Sequence, residues 1–320
     1  MELLDDEIKI GVSSCLLGEK VRWDGDHKQD RYVLDVLGSC FDCVSICPEV
    51  DAGMSVPRET VALYGTLEKQ KMITKGSRTD WTKKMARFKK DRICELRKEN
   101  ICGYVFKSDS PSCGVRKVPI YSEISIRRVR YGPGMFASSF IKAFPLVPVE
   151  DEGRLHDQAT RENFIVRIFC FHRLQLLLKK PFSIGSLVQF HTRHKFLILS
   201  YSRKKYGDMG QLVANAKKIK TAELKTRYSK LFMAALTYKS TPKKNTDVLL
   251  HMTGFLKKIL TREEKKNILS VIEDYRNELL PLVVPVTLIC YQAKKHNIEY
   301  LLNQVYLNPH PKELMLRNHV

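Results

Sequence analysis

At 320 residues, 43% hydrophobic and 28% charged, the chain is long enough for two cored domains and too apolar for a disordered one. Its net charge of +20 is uneven: residues 1–150 hold 25 Lys and Arg against 21 Asp and Glu, and residues 151–320 hold 30 against 14. The acidic opening MELLDDEIKI lacks the apolar core of a signal or transit peptide, and no apolar run reaches the roughly 18 residues of a membrane span, so a cytoplasmic protein with no membrane contact is expected.

In chain order, residues 8–13 (IKIGVS), 42–46 (DCVSI) and 102–107 (CGYVFK) read as short buried strands. Between the last two, TDWTKKMARFKKDRICELRKEN sets Trp81, Met85, Phe88, Ile93 and Leu96 on one helical side and basic residues on the other. Strand, crossover helix and strand predict an α/β domain with a Rossmann-like parallel sheet. Near residue 150, FPLVPVEDEGRLHD combines prolines, an acidic run and glycine, which places a boundary between domains 1–149 and 150–320. Beyond it the pattern is helical. TRENFIVRIFCFHRLQLLLKK runs to Pro181, TPKKNTDVLLHMTGFLKKIL is amphipathic, and Thr261 with Glu264 has capping-box spacing. An all-α domain is expected there.

Nine cysteines in a reducing compartment suit metal-binding, reactive or buried thiols better than disulfides. Cys15, Cys47 and Cys113 each follow a predicted strand, and in a parallel sheet the carboxyl ends of the strands share one crevice. Gly18 and Gly114 suit tight turns after the cysteines, and Pro48 and Pro111 stiffen the chain beside them. Spacing leaves three readings open: a structural zinc site short of a fourth ligand, a 4Fe–4S cluster with one open iron, or three separate buried thiols. Cys40, Cys43 and Cys47 also form C-x2-C-x3-C, although Cys43 falls in a strand. Cys94, Cys102, Cys170 and Cys290 lie in apolar runs and are expected in the core.

VSSCLLGEKVRWDG, CPEVDAGMSVPR and FKSDSPSCG resemble the thiouracil desulfidase family in order and spacing, across about residues 8–148. EDEGRLHDQATRENFIVRIF and the terminal NPHPKELMLRNHV resemble the helical domain fused to such proteins in the bacterial tRNA 4-thiouridine desulfidases. The resemblance implies that Cys15, Cys47 and Cys113 hold a 4Fe–4S cluster with one open iron, and that Glu49 and Ser110 are the catalytic polar groups. It also marks Arg22, Asp24, Gly25 and Lys28 as a substrate loop, in which Trp23 offers a ring for a flipped base. Arg58 and Lys107 are further candidates for the substrate pocket.

The chemistry is intelligible in itself. A thiocarbonyl sulfur is a soft ligand, an open iron polarises the carbon–sulfur bond, and water activated by Glu49 attacks the ring carbon while Ser110 positions or relays a proton. Sulfur passes to the iron with no net redox change. The plainer roles are a tie to a neighbouring backbone amide or to Arg58 for Glu49 and a turn cap for Ser110.

In the helical half, His191, His194 and Lys195 fall at i, i+3 and i+4 on one face without a carboxylate at useful spacing, which argues against a metal pair and for a surface face that meets RNA phosphate. Arg193, Lys195, Arg203, Lys204 and Lys205 are candidates for RNA phosphate, and Lys217, Lys218, Lys220, Lys225 and Arg227 extend the basic character. The expected protein is an iron–sulfur tRNA 4-thiouridine desulfidase, a monomer or weak homo-oligomer. Its rivals are a desulfidase of free thiouracil or thionucleosides and a non-catalytic RNA-binding protein with a structural metal site.

Overall fold

The computed structural model describes residues 8–122, 128–179, 181–314 and 316–318; the acidic opening at residues 1–7 lies outside them. The chain divides into two compact units, residues 1–164 and 165–320.

In the first unit, β1 (Lys9–Ser13) leads through a helical segment ending in α1 (Gly38–Cys40) to β2 (Asp42–Ile46), followed at once by the single turn α2 (Pro48–Asp51). A hairpin, β3 (Val61–Gly65) and β4 (Gln70–Thr74), precedes the long helix α3 (Thr82–Glu99) and β5 (Gly103–Phe106). Then come β6 (Val118–Tyr121), β7 (Arg128–Gly132), α4 (Met135–Ala143), β8 (Val149–Asp151) and α5 (Gln158–Lys179), which runs on into the second unit.

The expected parallel sheet is present, with strand order β2-β1-β5-β8 and every pairing parallel. All four residues of β5 are buried, which is why it reads as a continuous apolar run. Tyr104 and Phe106 share one face of β5 and stack at 3.8 Å, and Phe140 of α4 meets both edge-on. Opposite them β1 must carry glycine, because a Cβ on Gly11 would lie 2.3 Å from the Tyr104 ring.

A second, mixed sheet, β4-β3-β6-β7, was not expected. Helix α3 packs Met85 into its core with Leu63, Met72, Val118 and Ile120, so the segment between β2 and β5 is a hairpin and a helix rather than a helix alone. Polar residues in β4 (QKMIT) and a proline in β6 (VPIY) break up the apolar runs that would announce these strands.

The boundary expected at residues 149 and 150 falls inside β8. Glu150, Asp151 and Glu152 are buried there, Glu150 by ion pairs to Arg116 (2.6 Å) and Arg154 (3.0 Å). A run of acids suggests a solvated linker until its partners are known. Cys94 corrects another expectation: it is exposed, two residues from the buried Leu96 and so about 200° around the helix. Cys290 is half-buried, while Cys102 and Cys170 are core thiols as expected.

The second unit is helical, as expected: α6 (Ile184–Arg193), α7 (Lys195–Tyr201), α8 (Arg203–Ala214), α9 (Thr221–Ala235), α10 (Pro242–Leu256), α11 (Arg262–Arg276), α12 (Val283–Lys295) and α13 (Glu299–Leu302). The capping box of Thr261 and Glu264 opens α11. Phe196, Leu197, Ile198, Ser200 and Tyr201 are all buried, so α7 is central, packed by α8, α9 and α10. No helix among the described residues is long and apolar enough to cross a membrane.

His191 and His194 are part of this core rather than a surface face. His191 Nδ1 lies 3.2 Å from the Tyr228 hydroxyl, and His194 Nδ1 lies 2.8 Å from the Phe190 carbonyl, with the His194 and Phe190 rings stacked at 4.0 Å. Burial, then the nearby Arg173, pushes His194 down to about 3 from an ordinary 6.5. The unfolded chain therefore binds a proton that the folded one refuses. Stability from this site is complete above about pH 6.5 and falls as pH drops toward 3, by up to about 1.4 kcal/mol per pH unit. We expect His194→Phe to flatten the loss of stability between pH 6 and 4 in denaturant titrations. An unchanged slope would remove His194 as the cause.

Candidate functional site

The order β2-β1-β5 brings the carboxyl ends of three adjacent parallel strands to one edge. Cys15 lies in a short 3-10 turn just beyond β1, closed by Gly18 at φ +91°, a left-handed conformation that favours glycine. Cys47 directly follows β2 as the N-cap of α2, with Pro48 as its first helical residue. Cys113 sits in the loop beyond β5. All three line one cavity of about 450 Å³, together with Glu49, Ser110, Arg22, Lys28, Arg58 and Lys107. Asp24 does not line it; its carboxylate holds Arg22 at 3.0 Å. Cys40 and Cys43 do not line it either.

The Cys113 loop is fixed from two sides. Ser110 Oγ accepts hydrogen bonds from the amides of Ser112 (3.2 Å) and Cys113 (3.1 Å), which is the turn-capping role. From the other side, the start of α4 donates to the loop: Met135 N to Pro111 O (3.0 Å), Phe136 N to Ser112 O (3.0 Å) and Gly134 N to Gly114 O (2.7 Å). A Cβ on Gly134 would lie 2.6 Å from the Ser112 carbonyl oxygen, so this approach admits only glycine. Helix α4 and Gly134 were missed in the sequence, where nothing links them to residue 112.

Glu49 is held at both oxygens. Arg58 donates to Oε2 through Nη2 (2.7 Å) and Nε (3.1 Å), and the Ser112 hydroxyl donates to Oε1 at 2.9 Å. The Arg58 and Glu49 side chains are only 8% and 13% exposed, so the pair is desolvated enough for removal of one partner to cost about 3–5 kcal/mol. Arg58 also reaches the Val21 carbonyl at 3.0 Å, tying the segment after Cys15 to α2. Lys107 is likewise engaged: its ammonium meets Glu152 and the Ser108 hydroxyl (2.9 Å). Burial raises the Glu152 carboxyl, but the Lys107 and Ser108 hydrogen bonds outweigh it and hold the group below its usual range. Ser112 and Glu152 are thus site residues that sequence reasoning passed over, the first although it lies within the Ser-Pro-Ser-Cys motif. Trp23, half-exposed, lines the cavity, as do Lys75 and Tyr121, which the sequence had not singled out.

Burial raises the Cys15 thiol to about 11, with the charge of Cys47 adding to it, and burial likewise raises Cys47 to about 11. Cys113 is pushed well up, first by burial and then by Cys47, Glu49 and Cys15. The thiols are close enough to feel one another, and each is neutral near pH 7 unless positive charge arrives. Among the described residues no three His, Cys, Asp or Glu side chains are gathered tightly enough to share a single metal ion.

In the second unit, Arg203 and Lys204 are exposed and Lys195 and Lys205 half-buried. Arg203 lies 3.8 Å from Asp247, and Lys205 lies 3.6 Å from Asp208. Arg193 has its Nε sealed from solvent, which makes it a poorer candidate for phosphate than its spacing implied.

Residues 10–152 match the model of the 2-thiouracil desulfurase family, and residues 195–311 match that of a protein of unknown function, DUF1722. The chain is 25% identical over 158 residues to the uncharacterized protein YbgA of Escherichia coli K12, an alignment spanning 49% of this chain and 94% of that protein. It is 29% identical over 108 residues to the uncharacterized protein YbbK of Bacillus subtilis 168, spanning 32% of this chain and 71% of that one. Among solved structures, the 4Fe–4S-dependent thiouracil desulfidase TudS is similar at 29% identity and a TM-score of 0.40, over 50% of this chain and all of that one. The chain thus carries, on one polypeptide, a region similar to the 2-thiouracil desulfurase family at residues 10–152 and one similar to DUF1722 at residues 195–311.

Proposed function

We propose that the chain is a cytoplasmic tRNA 4-thiouridine desulfidase, converting 4-thiouridine to uridine, with Cys15, Cys47 and Cys113 as ligands of a 4Fe–4S cluster. The observation that carries the reading is that these three thiols, from three strand ends, line one cavity with Glu49 and Ser110 in a 2-thiouracil desulfurase domain. The donor set suits the group: buried thiols ionise where a cation compensates them, and a multi-iron cluster spreads soft thiolates over separate metal atoms. When bound, such a cluster supplies an open iron, a soft Lewis-acid position for a thiocarbonyl sulfur.

The chain's own residues do the rest. Glu49 Oε1, the oxygen that Arg58 does not hold, takes the proton of a water aimed at the ring carbon, and the Ser112 hydroxyl turns aside as that proton arrives. Ser110, with two amide donors on its oxygen, is left to donate its own proton into the cavity. Arg58 and Lys107, engaged with Glu49 and Glu152, position the site; Lys28 is the substrate-facing cation, with Arg22, oriented by the partly exposed Asp24, beside it. The half-exposed Trp23 offers a ring on which a base turned out of its stack can rest.

RNA rather than a free base is supported by the fused helical unit and by the basic excess beyond residue 150. Reversing charge at Lys195, Arg203 and Lys204 in the full chain should weaken tRNA turnover by about tenfold or more and make it less salt-dependent, while sparing turnover of free 4-thiouracil. Equal effects on both substrates would favour the free-base reading, in which the basic excess serves only solubility.

A further inference from the structure

The second unit carries a stack of aromatic rings at its surface. His251 and Phe255, one turn apart on α10, stack at 5.8 Å and 17°, and Phe255 stacks on Tyr300 of α13 at 4.8 Å and 26°. Behind them stands Phe196 of α7, fully buried, edge-on to His251 (5.2 Å, 87°), to Phe255 (6.1 Å, 87°) and to Tyr300 (6.3 Å, 78°). A core ring that buttresses three others holds the ladder rigid, yet His251 is exposed and Phe255 is 42% exposed. Large rings left in water on a rigid mount are unusual unless something covers them.

The charges beside the ladder indicate what covers it. Burial first, then Lys195 and Arg203, hold the His251 imidazole below its usual range, so both cations lie near that ring. The Arg203 side chain is 81% exposed, with Asp247 3.8 Å away as a loose partner. A small cleft of about 70 Å³ opens at the same end, lined by His251, Arg203 and Asp247. A row of rings that ends beside two cations complements a strand whose open bases stack and whose phosphates carry charge; a paired helix hides its base faces and can use only the cations.

The geometry points to the His251–Phe255–Tyr300 ladder as a stacking platform for unpaired nucleobases of single-stranded RNA, with a base continuing the stack at His251 and its phosphates on Lys195 and Arg203. The rigid ladder lowers the entropic cost of binding, since the rings are already ordered before RNA arrives. The inference rests on the reading of the chain as acting on RNA, and it gives the helical unit a preference for loops or ends over duplex.

Binding of the full-length chain to a sulfur-free, unstructured RNA oligonucleotide, compared with the same sequence in a duplex, tests it. His251→Leu and Phe255→Leu should each lower affinity for the single strand by about fivefold or more and leave duplex affinity within twofold. His251→Phe and Phe255→Tyr, which keep a ring, should bind like the parent. Parental single-strand affinity in both leucine variants would overturn the proposal and leave the ladder to a protein partner. Equal losses on duplex, or losses as large in the ring-retaining variants, would overturn it too, because they report altered folding rather than stacking. Since the probe carries no sulfur, failure here is distinct from failure of the desulfidation reading.

Discussion

Replacing Cys113 with alanine should strip reconstituted protein of iron, from about four atoms per chain to near none, and abolish desulfidation. The thiol is 5% exposed and its loop is held by Ser110 and the start of α4 through backbone groups that alanine keeps. The fold should therefore survive with a cost near 1 kcal/mol, and iron content can be read on folded protein. Cys15→Ala and Cys47→Ala should behave alike. Cys40→Ala and Cys43→Ala should keep full iron, because neither residue lines the cavity. Loss of iron from the Cys40 and Cys43 variants, with retention in Cys113→Ala, would show that the local C-x2-C-x3-C run is the site.

Glu49→Gln should retain iron and lose about 10²- to 10⁴-fold in turnover, the usual worth of a positioned general base. The amide oxygen still accepts from Arg58, and its NH2, now at the Oε1 position, donates to the Ser112 hydroxyl oxygen and cannot take a proton from water. Near-parental turnover would reduce Glu49 to a structural partner of Arg58. Ser110→Ala is a less clean companion, because its hydroxyl oxygen caps the amides of Ser112 and Cys113. Removing the cap moves the Cys113 loop, so iron content should fall along with activity. That coupling is visible only in the structure.

The parallel sheet was legible because its central strands β1 and β5 are buried on both faces and read as apolar runs, so the crevice at the strand ends could be anticipated from Cys15, Cys47 and Cys113. What supports the site was not. Gly134 is one glycine among sixteen until its approach to Ser112 is seen, and Glu152 belongs to an acidic run that suggests a linker. Its pairing with Lys107 spans 45 residues, beyond what local pattern can register. The misread histidines have the same origin. His191 and His194 share a helical face with basic neighbours, and only the packing of Tyr228 and Phe190 against them reveals that the face is internal.

The most direct test of the central claim is anaerobic incubation of reconstituted full-length protein with tRNA containing 4-thiouridine, followed by digestion and nucleoside analysis. 4-Thiouridine should disappear with matching gain of uridine and release of one sulfur per base, at a rate well above that for free 4-thiouracil. Thiolated tRNA that survives intact while free 4-thiouracil is consumed would contradict it.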